Sequence, residues 1–267
     1  MNARWKDREE HPLTADTLEA LFDNEIPCIR ITGFATPAEC RAFVAAMDAV
    51  GLKKEYKVAP NVKSMPRYIG VPQFEYRKRA KEEYFAVVAE AYAEQEAVLR
   101  LCGFNPLRRL MEHLRRVVPE RRVAIAEEPG FGRYYAGIIR DMTGGTNLHL
   151  DFARFSAPDY RVGRNDAQIA TNFYASCPRE GGETWVHNAH FEPPIAPGQY
   201  HEISPLDPAL VAGAERYAFQ PAPGDLVMFN SRNPHRVQFN PNDDGTRRMG
   251  IGVFIGRAPE RDLLLWS

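Results

Sequence analysis

The chain changes its pattern near residue 131, and that change limits the fold more than any other feature. Beyond it the apolar runs are short, β-rich and broken by Gly, Pro and Asn: RYYAGII (133–139), QIATNFYA (168–175), ETWVHN (183–188), DLVMFN (225–230), HRVQFN (235–240) and MGIGVFIG (249–256). Strands of this length at short spacing, with turn residues between them, point to a sandwich or barrel. The segment PNDDG at 241–245 is a hairpin signal. Before residue 131 the periodicity is mostly helical. Residues 14–24 place Leu18, Leu21 and Phe22 on one face, with Thr14 as the N-cap. A strand is expected within 26–34. Thr36, Pro37 and Glu39 then make a capping box with proline at the first helical position, and Gly51 closes that helix. Further helices are expected over 80–102 and 106–118, where Arg108, Arg109, Arg115 and Arg116 read as a solvated face. No repeat, low-complexity segment or linker separates the two halves. One domain over 1–267 is therefore expected: helical support and a lid region over 1–125, a β core over 126–256 and a tail over 257–267.

Composition narrows the function classes. Lys plus Arg is 34 and Asp plus Glu 35, for a formal net charge of -1. That balance argues against a nucleic-acid polymer as partner. With 44% hydrophobic and 26% charged residues the chain has an ordinary soluble profile. No apolar run approaches the roughly 18 residues of a membrane span, and the polar start MNARWKDREEHP is not a secretory signal. Cys28, Cys40, Cys102 and Cys177 have no paired spacing, which suggests reduced thiols and a cytoplasmic protein. The oligomeric state is left open, a homodimer being one option.

Of seven histidines, His149 is the most informative. In His149-Leu150-Asp151 an imidazole and a carboxylate at i and i+2 of a strand point to the same side and can reach one metal ion. The motif alone is weak. Its weight comes from His235, at a strand entry after the turn Pro223-Gly224-Asp225 and the run DLVMFN. Two histidines and one carboxylate make a facial triad that leaves metal positions open. Arg247 and Arg248 follow the PNDDGT turn, and an arginine there can clamp a dicarboxylate through paired hydrogen bonds.

Taken together, these motifs resemble the iron(II)/2-oxoglutarate-dependent dioxygenases. The resemblance rests on His149-x-Asp151, then His235, then an arginine; on Gly181-Gly182-Glu183-Thr184; on PGDLVMFNSRNPHRV; and on IPCIRITGFATPAEC. It covers the chain from about 26 to 256. More narrowly, YIGVPQFEYR, AEEPGFGRYYAGIIR, NFYAS and GVFIGR resemble a bacterial group acting on amino acids and their N-acyl derivatives. That group includes an N-succinyl amino acid hydroxylase and is related to chlorinating enzymes with Gly in place of the Asp. The resemblance implies a double-stranded β-helix, a cupin-like jelly-roll, giving an α+β chain with an all-β core buttressed by N-terminal helices. It implies iron(II) held by His149, Asp151 and His235, 2-oxoglutarate and O2 as cosubstrates, and ascorbate as reductant in vitro. Arg248-Met249-Gly250 fits the family's Arg-x-Ser if Gly replaces Ser. Arg247 is the alternative, and it would place Met249 at the Ser position.

Other polar residues are candidates for the same pocket. Tyr134 or Tyr135 is a candidate for the cosubstrate carboxylate. Arg140, after an apolar run, needs an anionic partner if it faces inward. Asn172 and Tyr174 share one strand face. Gln73, Glu75 and Arg77 share a face if their segment is extended, and could fold over the mouth. His187 and His190 read as structural or pocket-lining. The expected reaction is hydroxylation of an unactivated C–H bond of a small, carboxylate-bearing substrate, a free or N-substituted amino acid, with release of succinate and CO2. Asp151 favours hydroxylation over halogenation. The alternatives are a hydroxylase of another small metabolite such as a nucleotide or peptidyl residue, a cupin-like metal or sugar binder without catalysis, and a zinc hydrolase.

Overall fold

The helices begin where their caps dictate. Thr14 accepts from the Thr17 amide at the start of α1 (Ala15–Phe22). Thr36 and Glu39 form the capping box of α2 (Pro37–Val50), and Gly51 ends it with φ 79°. The long α3 (Lys81–Cys102) stops at Gly103 in the left-handed conformation, and α4 (Pro106–Val117) is capped by Asn105. This computed structural model describes residues 4–52, 54–56, 66–189, 205–239 and 245–267. The expectations for His190 and for most of the 241–245 turn lie outside the described residues.

The strands are β1 (Glu10–His11), β2 (Cys28–Ile31), β3 (Lys54–Glu55), β4 (Arg67–Ile69), β5 (Val123–Ile125), β6 (Glu127–Glu128), β7 (Gly132–Arg133), β8 (Ile138–Asp141), β9 (Ala167–Ser176), β10 (Thr184–His187), β11 (Arg216–Phe219), β12 (Leu226–Asn230), β13 (His235–Val237), β14 (Met249–Arg257) and β15 (Leu263–Trp266). The large sheet runs β1-β2-β12-β9-β14-β8-β4-β3, with β15 paired to β14 and to β5. A smaller antiparallel sheet, β11-β10-β13, lies against it, and β6-β7 is a short ribbon.

Alternation along the central strands divides the molecule into two environments. In β12, Leu226 and Met228 join a cluster with Leu18, Phe43, Met47 and Leu110 of the helices. Val227 and Phe229, one residue out of phase, pack instead with Val186 and Phe219 of the small sheet. In β14, Met249, Ile251, Val253 and Ile255 face the helices, so the intervening Gly250, Gly252, Phe254 and Gly256 face the other way. The result is a jelly-roll whose large sheet carries helices on one side and the small sheet on the other, and the space between the sheets remains for a site.

Three local expectations are corrected. RYYAGII is not one strand: β7 ends at Arg133, β8 starts at Ile138, and Gly137 between them has φ 91°. Residues 257–267 are not a tail, because β15 extends the large sheet beside β14 and β5. Gln73–Tyr76 is a 3-10 turn rather than an extended segment. Cys28, Cys40, Cys102 and Cys177 are all free. No helix among the described residues is long and apolar enough to cross a membrane.

Candidate active site

His149 and His235 face each other across an isolated antiparallel bridge, not a regular strand pair. The His149 amide donates to the His235 carbonyl at 3.0 Å, and the His235 amide to the His149 carbonyl at 2.7 Å. Two residues on, the Asp151 amide donates to Ser231 O at 2.8 Å, and the Ser231 hydroxyl donates back to Asp151 O at 2.7 Å. The backbone around His149-Leu150-Asp151 is therefore pinned to the loop that carries His235. The i, i+2 side chains share a side without a full strand to hold them.

Asp151 Oδ2 lies 3.7 Å from His149 Nε2 and 3.5 Å from His235 Nε2, and the imidazole centroids are 4.3 Å apart. One ligand atom from each residue lies within 4.8 Å of the others, close enough to converge on one cation. Both rings are oriented in the same way. His149 Nδ1–H donates to Asn147 O at 2.7 Å, and His235 Nδ1–H to Asn233 O at 2.9 Å. Each bond fixes the tautomer that leaves the Nε2 lone pair toward the cluster. Burial, with His235 as a like-charged neighbour, pushes the His149 pKa down to about 4, which keeps that imidazole neutral. Burial opposes ionisation of Asp151, but His149, His235 and Arg140 outweigh it and hold its carboxyl below the ordinary value.

The cluster forms part of the wall of a cavity of about 580 Å³ between the two sheets. Arg248 reaches the same cavity and is 6% exposed. Its Nε donates to Gly182 O at 3.1 Å, and its Nη2 to Thr184 Oγ1 at 2.9 Å and Tyr174 Oη at 3.2 Å. Arg247 points outward and pairs with Asp48 at 2.7 Å. Adjacent residues at a strand entry face opposite sides, so one position separates a cavity guanidinium from a surface ion pair. An added Cβ at Gly250 would come within 1.9 Å of Phe173 O, so a serine does not fit there without movement of β9. Tyr174 and Thr184 supply hydroxyls to Arg248 from β9 and β10 instead.

Arg140, Asn172, Gln73 and Arg77 all line the cavity. Arg140 Nη2 donates to Asn172 Oδ1 at 2.5 Å. Its guanidinium occupies the space over Gly252, where a Cβ would sit 2.6 Å from Nη2. That inward glycine is a contributor that sequence reasoning missed. Its only signal was the Gly-x-Gly spacing in MGIGVFIG. Tyr135 does not fit its expected role. It is fully buried beneath α3, with its hydroxyl donating to Gly137 O and accepting from Gln95, and it does not line the cavity. Tyr134 is likewise buried, bonded to Glu128. His187 lies outside the cavity lining, and burial with Arg216 and Arg236 nearby holds its pKa down to about 4.

A family model described as carrier-protein-independent halogenase WelO5 matches residues 7–267. The chain belongs to the WelO5 family. It is an enzyme of the non-haem iron(II)/2-oxoglutarate-dependent oxygenase fold. Among relatives of this WelO5-family chain, the "Leucinostatins biosynthesis cluster protein S" of Purpureocillium lilacinum is 28% identical over 208 residues, which is 74% of this chain and 84% of that protein. An L-gamma-glutamyl-L-propargylglycine hydroxylase of Streptantibioticus cattleyicolor is 33% identical over 137 residues, 50% of this chain and 48% of that protein. The match to that hydroxylase thus spans about half of either chain. In fold, the chain is similar to an N-substituted L-amino acid dioxygenase of Burkholderia ambifaria AMMD in complex with alpha-KG. The TM-score is 0.58 at 13% identity, covering 95% of this chain and 91% of that one. The epimerase SnoN from nogalamycin biosynthesis gives a TM-score of 0.52 at 13% identity over 91% and 85% of the two chains.

Proposed function

We propose that the protein hydroxylates an unactivated C–H bond of a small amino acid or amino acid derivative, consuming 2-oxoglutarate and O2 and releasing succinate and CO2. The observation that carries this reading is the meeting of His149, Asp151 and His235 on the wall of a cavity that also holds the buried Arg248. The donor set fits iron(II): two imidazoles whose Nδ1–H bonds leave Nε2 toward the cluster, and one carboxylate held below its ordinary pKa. Iron(II) bound there supplies O2 activation and, with 2-oxoglutarate, the oxidising power that protein side chains lack.

The chain's own residues do the rest. Arg248 presents its guanidinium to the distal carboxylate of 2-oxoglutarate, already held by Tyr174, Thr184 and Gly182. Arg140, oriented by Asn172, receives an anionic group of the substrate. Among the described residues it has no carboxylate within ion-pair distance, so a half-buried positive charge facing the cavity is left for a ligand. Gln73 and Arg77 reach the cavity from the 3-10 turn and its C-terminal end and contact the substrate from there. The relatives' names support an amino-acid-like substrate, one of them with an amide-linked amino acid and another with N-substituted amino acids. The free thiols accord with a reducing, cytoplasmic setting.

Asp151 supports hydroxylation in a family whose model is described as a halogenase. With iron(II) bound, its carboxylate would take a position that a glycine would leave open to a halide. The test is turnover with iron(II), 2-oxoglutarate and ascorbate against amino acids and N-acyl amino acids in excess chloride, with succinate and product mass as readouts. Succinate with a product heavier by one oxygen is expected. A halogenated product from the unmutated enzyme overturns the role given to Asp151, and absence of iron-dependent succinate overturns the oxygenase reading.

A further inference from the structure

Two side-chain carboxylates among the described residues line the cavity, Asp151 and Glu75. Asp151 is turned to the two histidines. Glu75 is not accounted for by the reaction. Its Oε2 accepts from the Tyr68 hydroxyl at 3.0 Å, while its Oε1 is buried with no hydrogen-bond partner among the described residues. No Lys or Arg among those residues forms an ion pair with it. Arg77, the nearest candidate in sequence, donates instead to Phe74 O. Glu75 is half-buried, but a carboxylate with one oxygen shielded from solvent and one neutral donor is incompletely satisfied, and such a group calls for a further donor.

The surroundings indicate which donor. Tyr56, Phe74 and Tyr76 line the cavity around Glu75. Tyr56 stacks on Phe74 with ring centroids 5.8 Å apart, and it packs on Tyr68 at 4.5 Å. Aromatic faces beside a carboxylate favour a cation. Tyr56 stands near both charges of the pocket, Arg140 and Glu75. Gln73 lies 3% exposed on the same turn, with no hydrogen-bond partner for its Nε2 among the described residues. The cavity thus presents a guanidinium and a carboxylate to one small ligand, the complement of an amino acid zwitterion.

We propose that Glu75 is the substrate's ammonium-binding residue, taking the charged amino group of a free amino acid on Oε1 while Arg140 takes an anionic group. This rests on the hydroxylase reading above and sharpens it: the nitrogen is unacylated and charged. An N-acyl substrate would bring a neutral amide to Glu75 and leave the carboxylate without a direct ion pair.

The experiment is anaerobic calorimetry on the full chain loaded with iron(II) and 2-oxoglutarate, titrated with a panel of L-amino acids and their matched N-acetyl derivatives. The expected result is that at least one free amino acid binds 10-fold or more tighter than its N-acetyl form. Glu75→Gln should lower that ratio at least 10-fold, chiefly by weakening the free acid, and Glu75→Asp should restore part of it. N-acetyl forms that bind as well as or better than free acids would overturn the proposal. So would a ratio unchanged in Glu75→Gln, or a panel in which no free amino acid binds. Iron(II)-dependent binding of 2-oxoglutarate by the wild-type protein, without added substrate, is measured beside it. If that binding is present while the ratio fails, the ammonium proposal falls alone. If it is absent, the oxygenase reading falls with it.

Discussion

The two sides of the large sheet are built from the same strands and carry opposite chemistry. On the helix side, Phe173 of β9 meets Phe34, Phe43 and Phe104 with ring centroids 5.6–5.8 Å apart, and the neighbouring positions are Ile, Leu, Met and Val. On the cavity side, one residue out of phase, the same strand offers Gln168, Asn172 and Tyr174. The helix side is closed by apolar packing, which needs only shape and volume. The cavity side holds buried polar groups, each requiring a partner from the protein or from a ligand. Substitutions on the first side should therefore cost stability, and substitutions on the second should cost binding and turnover.

The sharpest way to break that comparison is to exchange the consequences. Asp151→Ala should reduce 2-oxoglutarate turnover by about 100-fold or more, since removal even of supporting groups around a metal costs 10–100-fold. Its circular dichroism should match the wild type. Loss of the fold would place Asp151 among the structural residues. Phe173→Ala should do the reverse, costing about 3–5 kcal/mol in chemical denaturation while turnover per folded molecule persists. A cost under about 1 kcal/mol would mean that the helix side is not the stabilising one.

Arg248 and Arg247 repeat the comparison at neighbouring positions. Arg248→Ala should raise the KM for 2-oxoglutarate at least about 10-fold, because a charge-assisted pair in a shielded pocket is lost. Arg247→Ala removes an exposed pair with Asp48 and should change stability by at most about 1 kcal/mol and KM hardly at all. Steady-state kinetics on the two variants separates them, and the reverse ranking would assign the cosubstrate to Arg247.

The smallest effect is on the helix side and concerns acid. Hydrogen bonding from Arg109, despite partial burial, holds the Glu39 carboxyl down to about 2 from its ordinary 4.5. The unfolded chain therefore takes up this proton first as pH falls. The Glu39 contribution is complete above about pH 4.5 and is lost progressively toward pH 2. Denaturation midpoints of Glu39→Gln should fall less steeply than those of the wild type across that window. Equal slopes would remove Glu39 from the acid response.

Much of this was legible in the residues. The Thr36–Glu39 capping box and the Asn172/Phe173 alternation depend on local periodicity, which sequence displays directly. His149-x-Asp151 reads as part of a strand and is an isolated bridge, yet the two side chains still meet because the backbone is pinned to His235 and Ser231. The illegible parts depend on distant partners. Tyr135 reads like Tyr174 as a strand tyrosine, and only the packing of α3 over it decides that its hydroxyl turns to Gln95 rather than to the cavity. The seat of Arg140 depends on Gly252, far along the chain and paired with Ile138 across β8 and β14. β15 reads as a tail in sequence because its partners, β5 and β14, are brought together only by the folded sheet.

The central claim is that His149, Asp151, His235 and Arg248 form one iron and 2-oxoglutarate site. Anaerobic calorimetry of iron(II), followed by 2-oxoglutarate, tests it most directly. The account predicts one iron(II) per chain, lost in Asp151→Ala and His235→Ala. It also predicts 2-oxoglutarate binding that requires iron(II) and weakens at least about 10-fold in Arg248→Ala. Undiminished iron(II) binding by both ligand variants, or 2-oxoglutarate binding indifferent to iron(II) and to Arg248, would contradict it.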